Sequence, residues 1–299
     1  MDLKMRNYAE HRSDLVVRAV ALIASLLMIF VMLYPFIYIV AVSFSKNEYV
    51  TMGMVTWLPK GFNLNAYRVA LSDPLIIRGY INTIFYTSAG TVLSVGLTLL
   101  TAYPLAIKQF RGKKPFLIFL TFTMYFSGGL IPYYMLVQNL HMKDTLWALI
   151  LPGVSVWYII ICRTFFQANI PIELRESALM DGANDLTILT RIYTPLSKPI
   201  LATLSLWLIV GHWNSWFNAM LFIENQNLYP LQLVVRKVLI TFEPTSHMRS
   251  IIAAYKPAGV SEQTVRSAII VVTILPIVMI YPFLQKYFVK GIMIGAIKG

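Results

Sequence analysis

The chain has 299 residues, of which 58% are apolar and 13% charged, and its formal net charge is +12. A mean hydropathy of +0.66 puts it outside the range of soluble globular domains and marks it as a membrane protein. Its single cysteine, Cys162, excludes an internal disulfide and any cysteine-built metal cluster.

The first uncharged run, Ala19 to Ser45, is too long for the apolar core of a cleaved secretory signal, and no small-residue cleavage site follows it. It reads as a span. The segment after it, with WLPKGFNLNAYRVAL near its centre, predicts a short surface helix after Asn63 or Asn65. Further uncharged runs extend from Gly79 to Ile107, Pro115 to Met142, Thr145 to Cys162, Pro199 to Ile223 and Ser267 to Gln285. Each is about the 18 residues or more that cross a hydrocarbon core as a helix. The expectation is an all-α membrane protein with six transmembrane helices, at about 19–45, 79–107, 115–138, 145–165, 199–223 and 267–287, forming one domain over residues 1–299. Gly128 and Gly129 are expected to relax or break the third helix, and the polar stretch from Glu224 to Arg266 to face water.

Lys and Arg near the span ends set the orientation. With the N-terminus inside, the inner segments hold more than half of the 25 basic residues. These include Lys4, Arg6, Arg12 and Arg18, the acid-free turn KQFRGKK (108–114), and Lys286, Lys290 and Lys298. Both termini are therefore expected in the cytosol. Anchoring against anionic lipid accounts for much of the positive charge, so no nucleic-acid partner is required.

None of the six runs contains Asp, Glu, Lys or Arg. Transporters driven by ions or protons need such groups as relays. No G-x-x-x-x-G-K-[ST] phosphate loop is present either, so energy for active transport would come from another polypeptide. No catalytic residue and no metal-ligand set is expected.

Residues 171–198 contrast with their surroundings. Burying Glu173, Arg175, Glu176, Asp181, Asp185 and Arg191 in lipid at about 3 kcal/mol each would cost roughly 15–20 kcal/mol. The stretch is thus expected as a water-exposed loop between the fourth and fifth spans. Pro171 suits the start of a helix, Gly182 a left-handed stop, and Asn184 or Asp185 the cap of a second helix. Leu186, Leu189, Tyr193 and Leu196 would form an apolar stripe on that second helix. By pattern alone this is a helix, a glycine turn and a helix.

ESALMDGAND (176–185), followed by Ile192 and Pro195, resembles the EAA motif of permease subunits in binding-protein-dependent ABC importers. Ser177 stands where that motif has a second alanine, and Thr194 where it has leucine. The runs YFSGGLIPYYMLVQNLHMKDTLWALILPG (125–153) and WNSWFNAMLFI (213–223) and the ending QKYFVKGIMIGAIKG are similar to the carbohydrate branch, to its smaller maltose-type permease. The likeness covers nearly the whole chain and leans toward importers of polysaccharides or aldouronate-like oligosaccharides. The resemblance implies that Glu176, Ser177, Ala178, Asp181, Gly182, Ala183, Ile192 and Pro195 belong to an ATPase-coupling hairpin. It also implies a second permease, two ATPase subunits carrying the ATP and magnesium, an external binding protein, and a bacterial or archaeal cell membrane. This chain would bind no cofactor itself.

For the substrate path, GHWNSWFNAM supplies flat aromatic faces and amides, the groups that suit a sugar's C–H faces and hydroxyls. On one continuous helix Trp213 and Trp216 would share a face, as would Asn214 and Asn218. An aromatic belt at the membrane interface accounts for the tryptophans equally well. Tyr125 is a further candidate. Other readings remain open at this stage: an importer of another solute, an ATP-independent facilitator, or a membrane enzyme. For the last, no span carries the necessary cluster of groups.

Overall fold

The computed structural model describes residues 2–240 and 246–296, with side chains over 15–240 and 248–280. Among them no strand occurs. The main helices are α1 (Asp2–Ser43), α2 (Asn65–Ser72), α3 (Pro74–Ala106), α4 (Lys113–Tyr125), α5 (Leu130–Asn139), α6 (Val156–Asn169), α7 (Ile172–Met180), α8 (Asp185–Leu196), α9 (Lys198–Trp213), α10 (Phe217–Phe222), α11 (Leu231–Ile240), α12 (Ser246–Tyr255) and α13 (Glu262–Ala296). Four helical stretches of the described residues are long and apolar enough to cross a membrane, or up to six if each of two bent pairs is one span. Of the basic residues used for orientation, Lys4, Arg6, Arg12, Lys286 and Lys290 lie outside the described side chains, and Lys298 outside the described residues.

The chain packs as two compact units. The first comprises Met1–Ser72 and Pro244–Val272. In it α1 is apolar and exposed all round from Leu15 onward, as a helix must be when lipid is its solvent. Packing begins at its end, where Ala41 and Val42 join Val50 and Val55 in a small core. Asn63 accepts a 2.8 Å hydrogen bond from the Asn65 amide and starts α2, so the expected surface helix is present.

The second unit comprises Asp73–Glu243 and Thr273–Gly299 and is built around α3. Asp73 caps that helix by accepting from Leu75 N at 2.8 Å, and Pro74 occupies its first turn. The buried face of α3 is made mostly of small residues, among them Gly79, Thr83, Gly90, Ser94, Thr98 and Ala102. Such a face lets neighbouring helices approach closely where lipid removes the hydrophobic drive. At the far end, Arg163 donates to Leu105 O (3.0 Å) and Gln167 to Ala106 O (3.1 Å). α6 thereby satisfies carbonyls that the helix end leaves open.

Two expected spans are interrupted. The third breaks at Gly129 (φ 88°), and α4 and α5 meet at 115°. The fifth, expected as continuous over 199–223, ends at Trp213; Asn214 to Trp216 leave the helix before α10 begins. That break corrects the expectation that Asn214 and Asn218 share a helical face.

Candidate functional site

The hairpin forms as its local chemistry dictates. α7 follows Pro171 and ends in paired backbone bonds, Ala183 N to Ala178 O (2.9 Å) and Gly182 N to Leu179 O (3.0 Å). This is the Schellman arrangement, which requires a left-handed residue, and Gly182 supplies it at φ 79°. Asn184 then caps α8 by accepting from Thr187 N at 2.8 Å.

α8 departs from the expected stripe. Ile188, Leu189 and Tyr193 are buried, while Leu186 and Leu196 are exposed. For Leu196 the cause is a π turn over Leu189–Tyr193. Pro195 has no amide hydrogen to continue the α ladder, and both the backbone amide and Oγ1 of Thr194 donate to Leu189 O. The wider turn rotates Leu196 off the packed face.

Folded this way, the predicted coupling residues divide into two sets. Ala178, Ala183 and Ile192 pack against a core that includes Ala102, Tyr103, Leu105, Ile159, Cys162 and Phe166. Glu176, Ser177, Asp181 and Gly182 are exposed around the bend, together with Pro195 and with Met180 at 88% exposure. No heavy atom lies within 4 Å of where a Cβ on Gly182 would be. The tip is therefore an open, acidic and partly apolar surface on a packed base.

The base is held by a contact that the sequence pattern did not reveal. Tyr103, near the end of α3, donates to Asp185 Oδ1 at 2.7 Å, and Arg175 reaches the same oxygen at 3.1 Å. The hydrogen bond from Tyr103 and the adjacent Arg175 guanidinium hold the Asp185 carboxyl below its ordinary range against the opposing effect of burial. Beneath this latch the ring of Tyr193 stands edge-on to Tyr103 (4.9 Å) and Phe166 (5.2 Å). A charged hairpin is thus fastened to both α3 and α6.

The candidate path residues disperse. Trp213 is buried, edge-on to Tyr80 at 6.1 Å. Asn214 donates to Val210 O (2.9 Å) and accepts from Gln232 (3.4 Å). Trp216 lies beneath the Arg236 guanidinium, 3.7 Å from its ring centre. Tyr125 is exposed at the end of α4. Asn218 opens into a pocket of about 200 Å³, whose other walls include Gly153, Tyr158, Trp207, His212 and Ser215, whereas Tyr125 lines a separate pocket beside α4. Among the described residues no group of three or more His, Cys, Asp or Glu could hold a metal.

No family model matches the chain. It is 41% identical over 266 residues to protein LplC of Bacillus subtilis (strain 168), covering 89% of each chain. It is 39% identical over 266 residues to the polygalacturonan/rhamnogalacturonan transport system permease protein YtcP of the same organism, covering 89% of this chain and 92% of that one. The trehalose/maltose transport system permease protein MalG of Thermococcus litoralis is 28% identical, covering 96% and 99%. Among solved structures, the fold matches a chain of a bacterial ABC transporter involved in the import of the acidic polysaccharide alginate. That match has a TM-score of 0.88 and 35% identity and covers 93% of this chain and 98% of that one.

Proposed function

Because the chain belongs to the permease subunits of ABC sugar transport systems, we propose that residues 171–198 are its coupling hairpin, against which a partner ATPase subunit docks. With a second permease, the chain lines the path of an oligosaccharide or polysaccharide delivered by an external binding protein. The bundle has six spans, with both termini and the hairpin on the cytosolic side. ATP and magnesium are held by two partner ATPase subunits, and this chain catalyses nothing.

The observation that carries this reading is the division of the hairpin, with Ala178, Ala183 and Ile192 packed inward and Glu176, Met180, Asp181 and Gly182 exposed at the tip. A loop that merely joined two spans would need only the first set. Closure of an ATPase cleft around the tip would move the ends of α3 and α6, since Tyr103 binds the first to the hairpin through Asp185 and Phe166 packs the second against Tyr193.

The test is mild-detergent purification of the chain from its native membrane, with mass spectrometry of the proteins retained, for wild type and Gly182→Asp. The expected result is a second permease and an ATPase with the wild type, and a depleted ATPase with the variant at equal membrane levels. A chain that purifies alone in both cases refutes the docking role.

A further inference from the structure

We propose that the pocket lined by Tyr158, Trp207, His212, Ser215 and Asn218 is a saccharide subsite, at which one neutral sugar ring contacts this subunit directly. The proposal rests on the importer reading above and identifies where the substrate touches the chain.

Two helix breaks create the pocket. One is at Val154 and Ser155, just past Gly153 and before α6, and the other at Asn214 to Trp216, after α9. Non-helical backbone within a membrane bundle is tolerated only where protein or a water-filled cavity covers it. Both breaks adjoin one small pocket, and its lining agrees with that rule. Gly211, His212, Ser215 and Asn218 follow one another along one wall, a poor surface to show to lipid.

Two side chains on that wall are uncommitted, and a third, His212, finds a polar partner among the described residues only in the backbone of Gly90. Nε2 of His212 is buried without a hydrogen-bond partner among the described residues, and its ring edge is wedged so tightly against Gly90 and Gly153 that a Cβ on either would lie 2.6 Å from it. The side chains of Ser215 and Asn218 likewise have no partner among the described residues. Unsatisfied buried groups in a native structure call for a ligand, water or a function. The His212 ring is one such group, and the half-buried hydroxyl of Ser215 and amide of Asn218, able both to donate and to accept, line the same pocket.

The remaining wall names the class of ligand. The rings of Tyr158 and Trp207 stack at 6.2 Å with 28° between their planes, and Trp207 remains 38% exposed. A flat indole face beside imidazole, hydroxyl and amide groups fits a pyranose, which offers an apolar C–H face ringed by hydroxyls. No Lys, Arg, Asp or Glu lines the pocket, so an ion or a charged peptide terminus finds no partner there. Pockets for drug-sized ligands measure roughly 300–1,000 Å³; about 200 Å³ takes a single ring of a longer chain. The ring held here is read through its hydroxyls, whether or not its neighbours in the saccharide carry carboxylates.

The test uses the complete transporter in proteoliposomes, with its binding protein and three probe sugars that each carry a neutral ring: rhamnogalacturonan oligosaccharides, trehalose and maltotriose. Uptake by the wild type is measured first. Asn218→Cys is then treated with a charged, water-soluble thiol reagent, native Cys162 being fully buried. The expected result is labelling that the imported sugar slows at least threefold, with no such slowing for Lys143→Cys. Trp207→Ala should raise the half-saturating sugar concentration at least tenfold, and Trp207→Phe by much less. If the wild type imports a sugar but that sugar gives Asn218→Cys no protection, or the reagent never reaches the thiol because a partner side chain fills the pocket, the subsite is refuted and the importer reading stands. If no probe sugar is imported, the assignment of these saccharides as substrates fails and the subsite falls with it.

Discussion

Asp185→Asn tests whether the hairpin is latched to the bundle or only rests on it. The amide keeps the size of the carboxylate and one acceptor oxygen, so the Tyr103 and Arg175 contacts at 2.7 and 3.1 Å remain geometrically possible. What is lost is the charge on the acceptor. Hydrogen bonds to charged groups contribute about 1.5–3 kcal/mol, against about 1 kcal/mol for neutral ones. Asp185 is 61% exposed at its side chain, so solvent screening pulls the ion-pair share toward the low end. The Arg175 side chain is only 13% exposed, and leaving it short of an anion adds a desolvation cost. The expected loss is about 1–2 kcal/mol, or roughly a 5- to 30-fold rise in local opening of 172–196. Hydrogen exchange measured by mass spectrometry on the assembled transporter reads this directly. The Tyr103→Phe and double variants complete a cycle, which should show coupling of at least about 0.5 kcal/mol. Because the folded-state pKa of Asp185 is lowered, its contribution is fully present above its unfolded value of about 3.9 and is lost as pH falls through the lower folded value. Protection should therefore be flat from about pH 5.5 to 8. Exchange within twofold of wild type in Asp185→Asn, or additive effects in the cycle, would sink the latch.

Gly182→Ala meets no atom within 4 Å, so its cost is that of the left-handed backbone alone, about 1–2 kcal/mol, visible as faster exchange at Ala183 and neighbouring amides. Gly182→Asp tolerates that conformation better and should instead act through its charge at the tip. Uptake should fall at least tenfold while membrane levels hold; unchanged uptake would remove the docking surface. Met180→Ala, at 88% exposure, should leave thermal stability within about 0.5 kcal/mol yet weaken ATPase retention on purification, and equal retention would show that the apolar tip is not used. Gly90→Ala and Gly153→Ala each place a Cβ 2.6 Å from the His212 ring, and overpacking of this kind costs about 1–3 kcal/mol. Both should lower the melting temperature of the purified complex, with partial rescue by His212→Ala.

What the sequence could disclose follows the range of each interaction. The hairpin's bend was legible because Gly182 and Asn184 act on amides one to three residues away. The interruption at Gly128 and Gly129 was legible for the same reason. The Tyr103 to Asp185 bond spans 82 residues, and nothing near either residue advertises the other. The break after Trp213 escaped notice because the run from Pro199 to Ile223 stays uncharged throughout, and hydropathy measures transfer to lipid without sensing where backbone bonds lapse. The π turn was hidden for a subtler reason. Pro195 marks a missing donor, but whether the helix ends, kinks or widens there depends on the Tyr103 and Phe166 rings waiting for Tyr193.

The three features that sequence patterning missed bear on how a permease subunit can couple its ends. α9 leaves the hairpin, turning through 84° from α8, and ends at the Asn214 to Trp216 break beside the pocket. It crosses the buried face of α3 on the way, where Leu204, Leu206, Leu208 and Trp213 are buried. A displacement of the hairpin reaches the pocket only if α9 moves as one body, because a flexible joint at either end would dissipate it. The latch at Tyr103, the π turn and the His212 wedge against Gly90 and Gly153 stiffen both ends of that lever. They lie where a coupled machine gains most from rigidity, and each can be loosened by one side chain without touching the other.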